Sequence, residues 1–266
     1  MRILVPTDFS PLAASAMRYA AQLCLDLQAE PIFLHVYQGN EPADALERLR
    51  MAANEAVGSG NNLTFECLLA AGNTPWEGIA DTLQKTHASA AVMSAHPRGA
   101  VEKLFVSSQT AEVIRHSAIP VLVLPENYAY KPVRRIGFST DLQDLTDRSR
   151  RIAHLVKALG ATLDLFHIYP VYPALFPIET IHSDALLADL GKEIGYEKLN
   201  FHFVNTHKDN ASAEGIGEYI RCYKPDWLAM VTSPKSVFDA LINGSLTREM
   251  VGKLDLPLLA YSDPDR

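Results

Sequence analysis

The residues best suited to chemistry in this chain come as a repeated pair. Thr7-Asp8 lies in Val-Pro-Thr-Asp-Phe-Ser, and Thr140-Asp141 lies in Phe-Ser-Thr-Asp-Leu. A carboxylate beside a hydroxyl can accept hydrogen bonds from a ribose or a base, or orient a metal, while the hydroxyl both donates and accepts. The same pair suits a plainer task, because Asp caps helices and builds Asx-turns. Both readings stand at this stage. His35 and His167 also recur at matching places, where a metal or proton-transfer role comes to mind. One histidine per copy, with no clustered carboxylates or thiols in sequence, points instead to a hydrogen-bonded histidine at a strand end.

The pairs recur because the chain itself repeats. Residues 2–8 (RILVPTD) and 135–141 (RIGFSTD) agree at four of seven positions. The likeness continues in order with LHV at 34–36 against FHI at 166–168, Gly78-Ile79 against Gly215-Ile216, and IPVLV at 119–123 against LPLLA at 256–260. A period of about 135 residues is too long for a solenoid repeat and fits one whole domain. Two domains are therefore expected, at 1–126 and 133–266. The stretch PENYAYKPV at 125–133 joins them, its two prolines disfavouring regular structure.

Short apolar runs alternate with longer segments of helical period in each copy. The first copy predicts strands at 2–6, 31–36, 63–69, 89–94 and 120–124, with helices near 11–28, 42–57, 74–87 and 107–117. The second predicts strands near 134–138, 162–168, 198–204, 226–231 and 256–260. Continuously apolar strands separated by helices imply a parallel sheet covered on both faces. The fold class is α/β: two doubly wound, Rossmann-like domains, each with a five-stranded parallel sheet, packed as a pseudo-twofold pair. In such sheets ligands bind beyond the carboxyl ends of the strands where strand order reverses. That directs attention to the loops after strands one and four.

The motifs at those loops, V-P-T-D-F-S near the start, L-H-V ending strand two, and His96-Pro97-Arg98-Gly99 after strand four, resemble the universal stress protein family over nearly the whole chain. Nucleotide-binding members of that family carry Gly-x-x-Gly after strand four and Gly-Ser or Gly-Thr opening the last helix. Glycines let backbone approach phosphate, and helix-terminal N–H groups bind the anion. Here Ser94 and Pro97 stand at the first copy's glycine positions, with Ser107-Ser108 in place of Gly-Ser. Val231 and Pro234 stand at the second copy's, although Gly244-Ser245 matches the last pair. Proline removes a backbone donor, so the phosphate cradle is altered in both copies.

The resemblance implies candidate nucleotide-binding positions at Thr7, Asp8, Val36, Met93, Ser94, Arg98, Ser107 and Ser108 in the first copy. In the second it implies Thr140, Asp141, Ile168, Met230, Gly244 and Ser245. Met93 and Met230 fall where the family has an apolar residue near the base, and core packing accounts for a Met there equally well. ATP or AMP is the family's default ligand, with Pro97 and Pro234 standing against the triphosphate. A nucleoside, a monophosphate or another anion fits the remaining helix N-termini.

No catalytic nucleophile is visible: the chain lacks a Gly-Lys-Ser/Thr loop and a Gly-x-Ser-x-Gly elbow. Gly215-Ile216-Gly217 lacks the third glycine of a dinucleotide fingerprint and reads as structural. No metal-ligand constellation is apparent. Arg148, Arg150 and Arg151, with Arg134 and Arg135 upstream, read as a solvated helix face paired with Asp144 and Asp147. A net charge of −7 argues against nucleic-acid and anionic-membrane surfaces. Polar residues and Pro6 interrupt the first residues before a signal-peptide core can form, and no run reaches membrane-spanning length. Cys24, Cys67 and Cys222 are odd in number, scattered, and expected as reduced core thiols, which suits the cytoplasm.

The expected activity is that of a tandem stress-response binding or regulatory protein, without catalysis, carrying a degenerate nucleotide site in each domain. The alternatives are a slow ATP hydrolase or phosphate-transferring enzyme with Asp8 or Asp141 holding a metal, and a ligand-free scaffold for a protein partner. The last strands are apolar edges that invite pairing, and the resemblance, to a family whose single-domain members dimerise through this strand, implies mutual pairing through Val121, Val123 and Leu258, with a homodimer as a further expectation.

Overall fold

A computed structural model describes residues 1–95, 107–142, 144–170, 183–206, 211–232 and 255–262. The chain forms two compact units, Met1–Pro132 with Val251–Arg266, and Val133–Met250.

In the first unit β1 (Arg2–Pro6), α1 (Pro11–Leu27), β2 (Glu30–Tyr37), α2 (Ala45–Val57), β3 (Glu66–Ala71), α3 (Pro75–Lys85), β4 (Ala90–Ser94), α4 (Ser108–His116) and β5 (Val121–Leu124) alternate strictly. The strands line up as β3-β2-β1-β4-β5, all parallel, with Leu4 in register with Ile32 on one side and Ala91 on the other. Ile3, Leu4, Val5, Ile32, Phe33 and Leu34 are all fully buried, as expected of strands covered on both faces. Right-handed crossovers place α1 and α2 together on one face and α3 and α4 on the other. The order reverses between β1 and β4.

Local signals set the helix starts. Ser10 accepts the Ala13 N–H at 3.2 Å ahead of Pro11, and Ser107 accepts the Thr110 N–H at 3.1 Å. The Glu77 carboxylate accepts the Thr74 N–H at 3.2 Å at the start of α3. β3 begins three residues later than the periodicity predicts, because pairing with β2 starts only at Ile32 opposite Glu66. Phe65, just before it, packs edge-on against Phe33 at 5.7 Å.

The second unit runs β6 (Arg135–Ser139), α5 (Leu145–Leu159), β7 (Thr162–Pro170), α6 (Ser183–Ile194), β8 (Leu199–Thr206), α7 (Ala211–Tyr223) and β9 (Trp227–Thr232). Its described strands are parallel in the order β8-β7-β6-β9, with Gly137 between Asp164 and Leu228. Here the order reverses between β6 and β9.

The strand expected as the second copy's fifth, β10 (Leu258–Ser262), starts two residues later than the apolar run, after Pro257. It runs antiparallel to β5, pairing Leu258 with Val123 and Ala260 with Val121, and so groups with the first unit. An apolar edge without a partner is a liability, and this ladder removes it from β5.

Candidate functional site

At the end of β1 the backbone continues its ladder for one residue, with the Thr7 N–H bonded to the Leu34 carbonyl at 2.8 Å, and then turns. The Thr7 hydroxyl accepts the Phe9 N–H at 3.0 Å, and Asp8 Oδ1 accepts the Ser10 N–H at 2.9 Å. Phe9 sits at φ 63°, a left-handed conformation that a residue other than glycine adopts only when its surroundings hold it there. The clamp comes from His35: its Nδ1–H donates to the Thr7 carbonyl at 2.9 Å, while its ring lies 4.5 Å from that of Phe9. The Arg48 guanidinium from α2 covers the Phe9 ring at 4.5 Å, a cation–π contact. Thr7 is buried and Asp8 exposed.

The second unit repeats this turn. The Thr140 hydroxyl accepts the Leu142 N–H at 3.0 Å, Leu142 sits at φ 68°, and the His167 Nδ1–H donates to the Thr140 carbonyl at 2.8 Å. The repeated Thr and His are thus a structural unit. A hydroxyl pins the turn from below, an imidazole pins it from the next strand, and the aspartate is left at the tip.

Asp8 closes an Asx-turn, the plainer of the two sequence readings. Asp141 Oδ1 accepts a hydrogen bond from Arg148 Nη1 at 2.5 Å, and the Arg148 side chain is only 7% exposed against 53% for Asp141. This corrects the expectation that Arg148 belongs to a solvated face with Asp144 and Asp147. Arg150 does fit that expectation, pairing with Asp147 at 2.9 Å and Glu193 at 3.4 Å. Arg148 escaped the sequence reading because helical periodicity does not say which side of α5 meets the strand ends. Its seven-residue spacing from Asp141 was the available signal.

The switch points bring the other candidates near these turns. Thr7 follows β1 and Ser94 ends β4, neighbouring strands paired as far as Leu4–Ala91, while Thr140 follows β6 and Val231 lies in β9, paired as far as Phe138–Ala229. Met93 and Met230 are buried one position earlier, consistent with core packing. Val36 and Ile168 are half-buried. A Cβ on Gly78 would lie 2.5 Å from Val36 Cγ1, and one on Gly215 would lie 2.4 Å from Ile168 Cγ2. Each therefore rests on a helix that approaches the strand closely. Ser107 caps α4, and its Oγ also lies 3.0 Å from Thr110 Oγ1, while Ser108 is the helix's first residue. Arg98, Pro97, Pro234, Gly244 and Ser245 lie outside the described residues.

A second polar cluster, missed in the sequence, lies at the opposite end of the second unit's strands. Asp164 on β7 is fully buried and accepts hydrogen bonds from Arg135 Nη1 at 3.0 Å, Asn200 Nδ2 at 2.9 Å and the Tyr219 hydroxyl at 3.1 Å. His202 Nε2 lies 3.4 Å away. Burial and the adjacent carboxylate push the Tyr219 hydroxyl far above its usual range. Gly137 makes room for this ring, since a Cβ there would meet Tyr219 Cε1 at 2.4 Å.

The cysteines are free thiols, but only Cys24 is buried. Cys67 is half-buried, and Cys222 is exposed near the end of α7, which corrects the expectation of core thiols throughout. No cluster of metal-binding side chains occurs among the described residues, and no described helix is long and apolar enough to cross a membrane.

Parallel α/β units with a pinned Thr-Asp turn at each strand-order reversal define the molecule's class. Residues 1–125 match the universal stress protein family. The whole chain is similar in fold to a universal stress protein from Archaeoglobus fulgidus, at 17% identity over 98% of each chain with a TM-score of 0.71. A candidate universal stress protein from Pseudomonas aeruginosa shares 18% identity over 99% of this chain and 94% of its own, with a TM-score of 0.62. A further Pseudomonas aeruginosa protein of unknown function shares 17% identity over 99% and 93%, with a TM-score of 0.60. No curated protein matches the sequence.

Proposed function

We propose that this chain is a tandem universal stress protein, with domains at 1–126 and 133–266, that acts by binding a nucleotide or related phosphate-bearing ligand rather than by turnover. The observation that carries the reading is the first unit's switch point. An exposed Asp8 on a pinned turn follows β1, Ser94 ends the neighbouring β4, and α4, the helix between β4 and β5, opens with a serine cap. A fixed carboxylate suits ribose hydroxyls, and a helix N-terminus suits a phosphate. The family match covers this same half of the chain.

Calorimetric titration with ATP, ADP and AMP, with and without Mg²⁺, tests this directly. Saturable binding that Asp8→Ala weakens by about tenfold, the value of one charge-assisted hydrogen bond, is expected. Absence of binding by every nucleotide overturns it. Steady phosphate release abolished by Asp8→Ala would replace the sensor with a hydrolase.

A further inference from the structure

The residue that covers the first unit's turn is an arginine with idle donors. Arg48 lies near the start of α2, where the helix dipole disfavours a cation, so helix stability does not call for it. Its guanidinium stands 4.5 Å from the centre of the Phe9 ring. That ring is itself fixed, because its backbone is held at φ 63° and the His35 ring packs against it at 4.5 Å. Asp44, the ion-pair partner of Arg48, is 3.9 Å away, beyond hydrogen-bonding reach. Among the described residues the guanidinium makes no hydrogen bond, and the Arg48 side chain is 54% exposed. An arginine held over an aromatic ring keeps its N–H groups for an acceptor elsewhere.

The side of the turn on which it stands is informative. β2 and β4 flank β1, and Phe9 leans on β2 through His35, whereas Ser94 ends β4 and the serine cap of α4 follows. A nucleotide with its ribose at Asp8 and its phosphate toward α4 therefore extends its base toward β2 and Arg48. An arginine fork offers parallel N–H donors. Guanine meets them with adjacent acceptors, O6 and N7, whereas adenine sets its N6 amino donor against a donor.

We propose that Arg48 is the base-reading residue of the first unit, donating to O6 and N7 of a 6-oxopurine, so that the site prefers guanine and hypoxanthine nucleotides to adenine ones. This rests on reading the turn as a nucleotide site, and it names guanine where the family resemblance names adenine.

Calorimetric titration of the full chain with GMP, IMP, 7-deaza-GMP and AMP tests it. GMP and IMP should bind within about threefold of each other, because they share O6 and N7 and differ only in the 2-amino group. AMP should bind at least about tenfold more weakly, and 7-deaza-GMP, which lacks the N7 acceptor, should fall between them. Arg48→Lys keeps the charge but removes the fork, so it should weaken GMP far more than AMP and bring the two within about threefold. Phe9→Leu removes the platform and should act in the same direction. Leu142 holds the same left-handed backbone at φ 68° in the second unit, so a leucine is tolerated in such a turn. Equal binding of GMP and AMP by the parent overturns the proposal, as does a preference for GMP that survives Arg48→Lys. So does GMP binding far tighter than IMP, which means that the opposite edge of the base is read. A loss in Arg48→Lys shared equally by AMP assigns the arginine a structural or purely coulombic role and also overturns it. If none of these nucleotides binds the parent, the nucleotide reading itself fails, an outcome distinct from binding without base preference.

Discussion

Removing the Asp164 carboxylate tests how the second unit is held together. Asp164 is fully buried and collects three donors within 3.1 Å. In Asp164→Ala the Tyr219 hydroxyl, on a side chain that is itself fully buried, is left without this acceptor, at about 1–3 kcal/mol. The Arg135 side chain is 36% exposed and can turn toward water, so its loss falls well short of a buried broken pair. Asn200 is part-buried and recovers part of its bond in the same way. With a small cavity added, about 3–4 kcal/mol is expected, inside the range for breaking a buried pair. Tyr219→Phe alone should cost about 1 kcal/mol, and the double variant should fall short of the sum by about 1 kcal/mol. Denaturant unfolding followed by amide exchange on β7 and β8 resolves this unit's stability from that of the first. An Asp164→Ala chain within about 1 kcal/mol of the parent, or strict additivity with Tyr219→Phe, refutes the reasoning.

Gly215→Ala and Gly78→Ala place a methyl 2.4 Å from Ile168 and 2.5 Å from Val36. Overpacking of about 1–3 kcal/mol then outweighs the gain of about 1 kcal/mol in helix propensity, so both melt lower. Adding Ile168→Ala or Val36→Ala should restore the loss, and a rise in melting temperature for either glycine variant refutes the contact. Burial pushes the Cys24 thiol up to about 12, so at pH 8 only about one molecule in ten thousand carries its thiolate. A thiol reagent should modify exposed Cys222 in the native chain, while Cys24 reacts only on unfolding in urea. Prompt native labelling of Cys24 overturns its placement in the core.

The turns were legible in the sequence because they depend on neighbours in the chain. Thr7 and Phe9, or Thr140 and Leu142, are two residues apart, and the histidine partners fall at a repeated place in the next strand. The alternation of strands and helices was legible for the same reason. Contacts across the fold were not. An Asp inside the apolar run Leu163-Asp164-Leu165-Phe166 signals a need for partners, but those partners lie 29, 36 and 55 residues away on two strands and a helix. Arg148 looked like one more charge on a polar helix, since burial depends on where α5 meets the end of β6. The pairing of β10 with β5 was expected from the family resemblance together with their apolar composition, although the later strand starts only after Pro257.

Divergence between the copies has a direction. In the second unit Asp141 answers Arg148, Asp164 answers Arg135, and Asp147 and Glu193 answer Arg150, so charge placed on its strands and first helix is taken up within the unit. In the first unit the position matching Asp164 is Ile32, the one matching Gly137 is Leu4, and the one matching Arg148 is Ser15. Its corresponding acids, Glu30 and Glu66, meet Arg2 at the rim of the sheet, where the side chains are partly exposed. A core built from Leu4 and Ile32 asks nothing of the strand-end turn, whereas a buried arginine beside the turn claims its carboxylate.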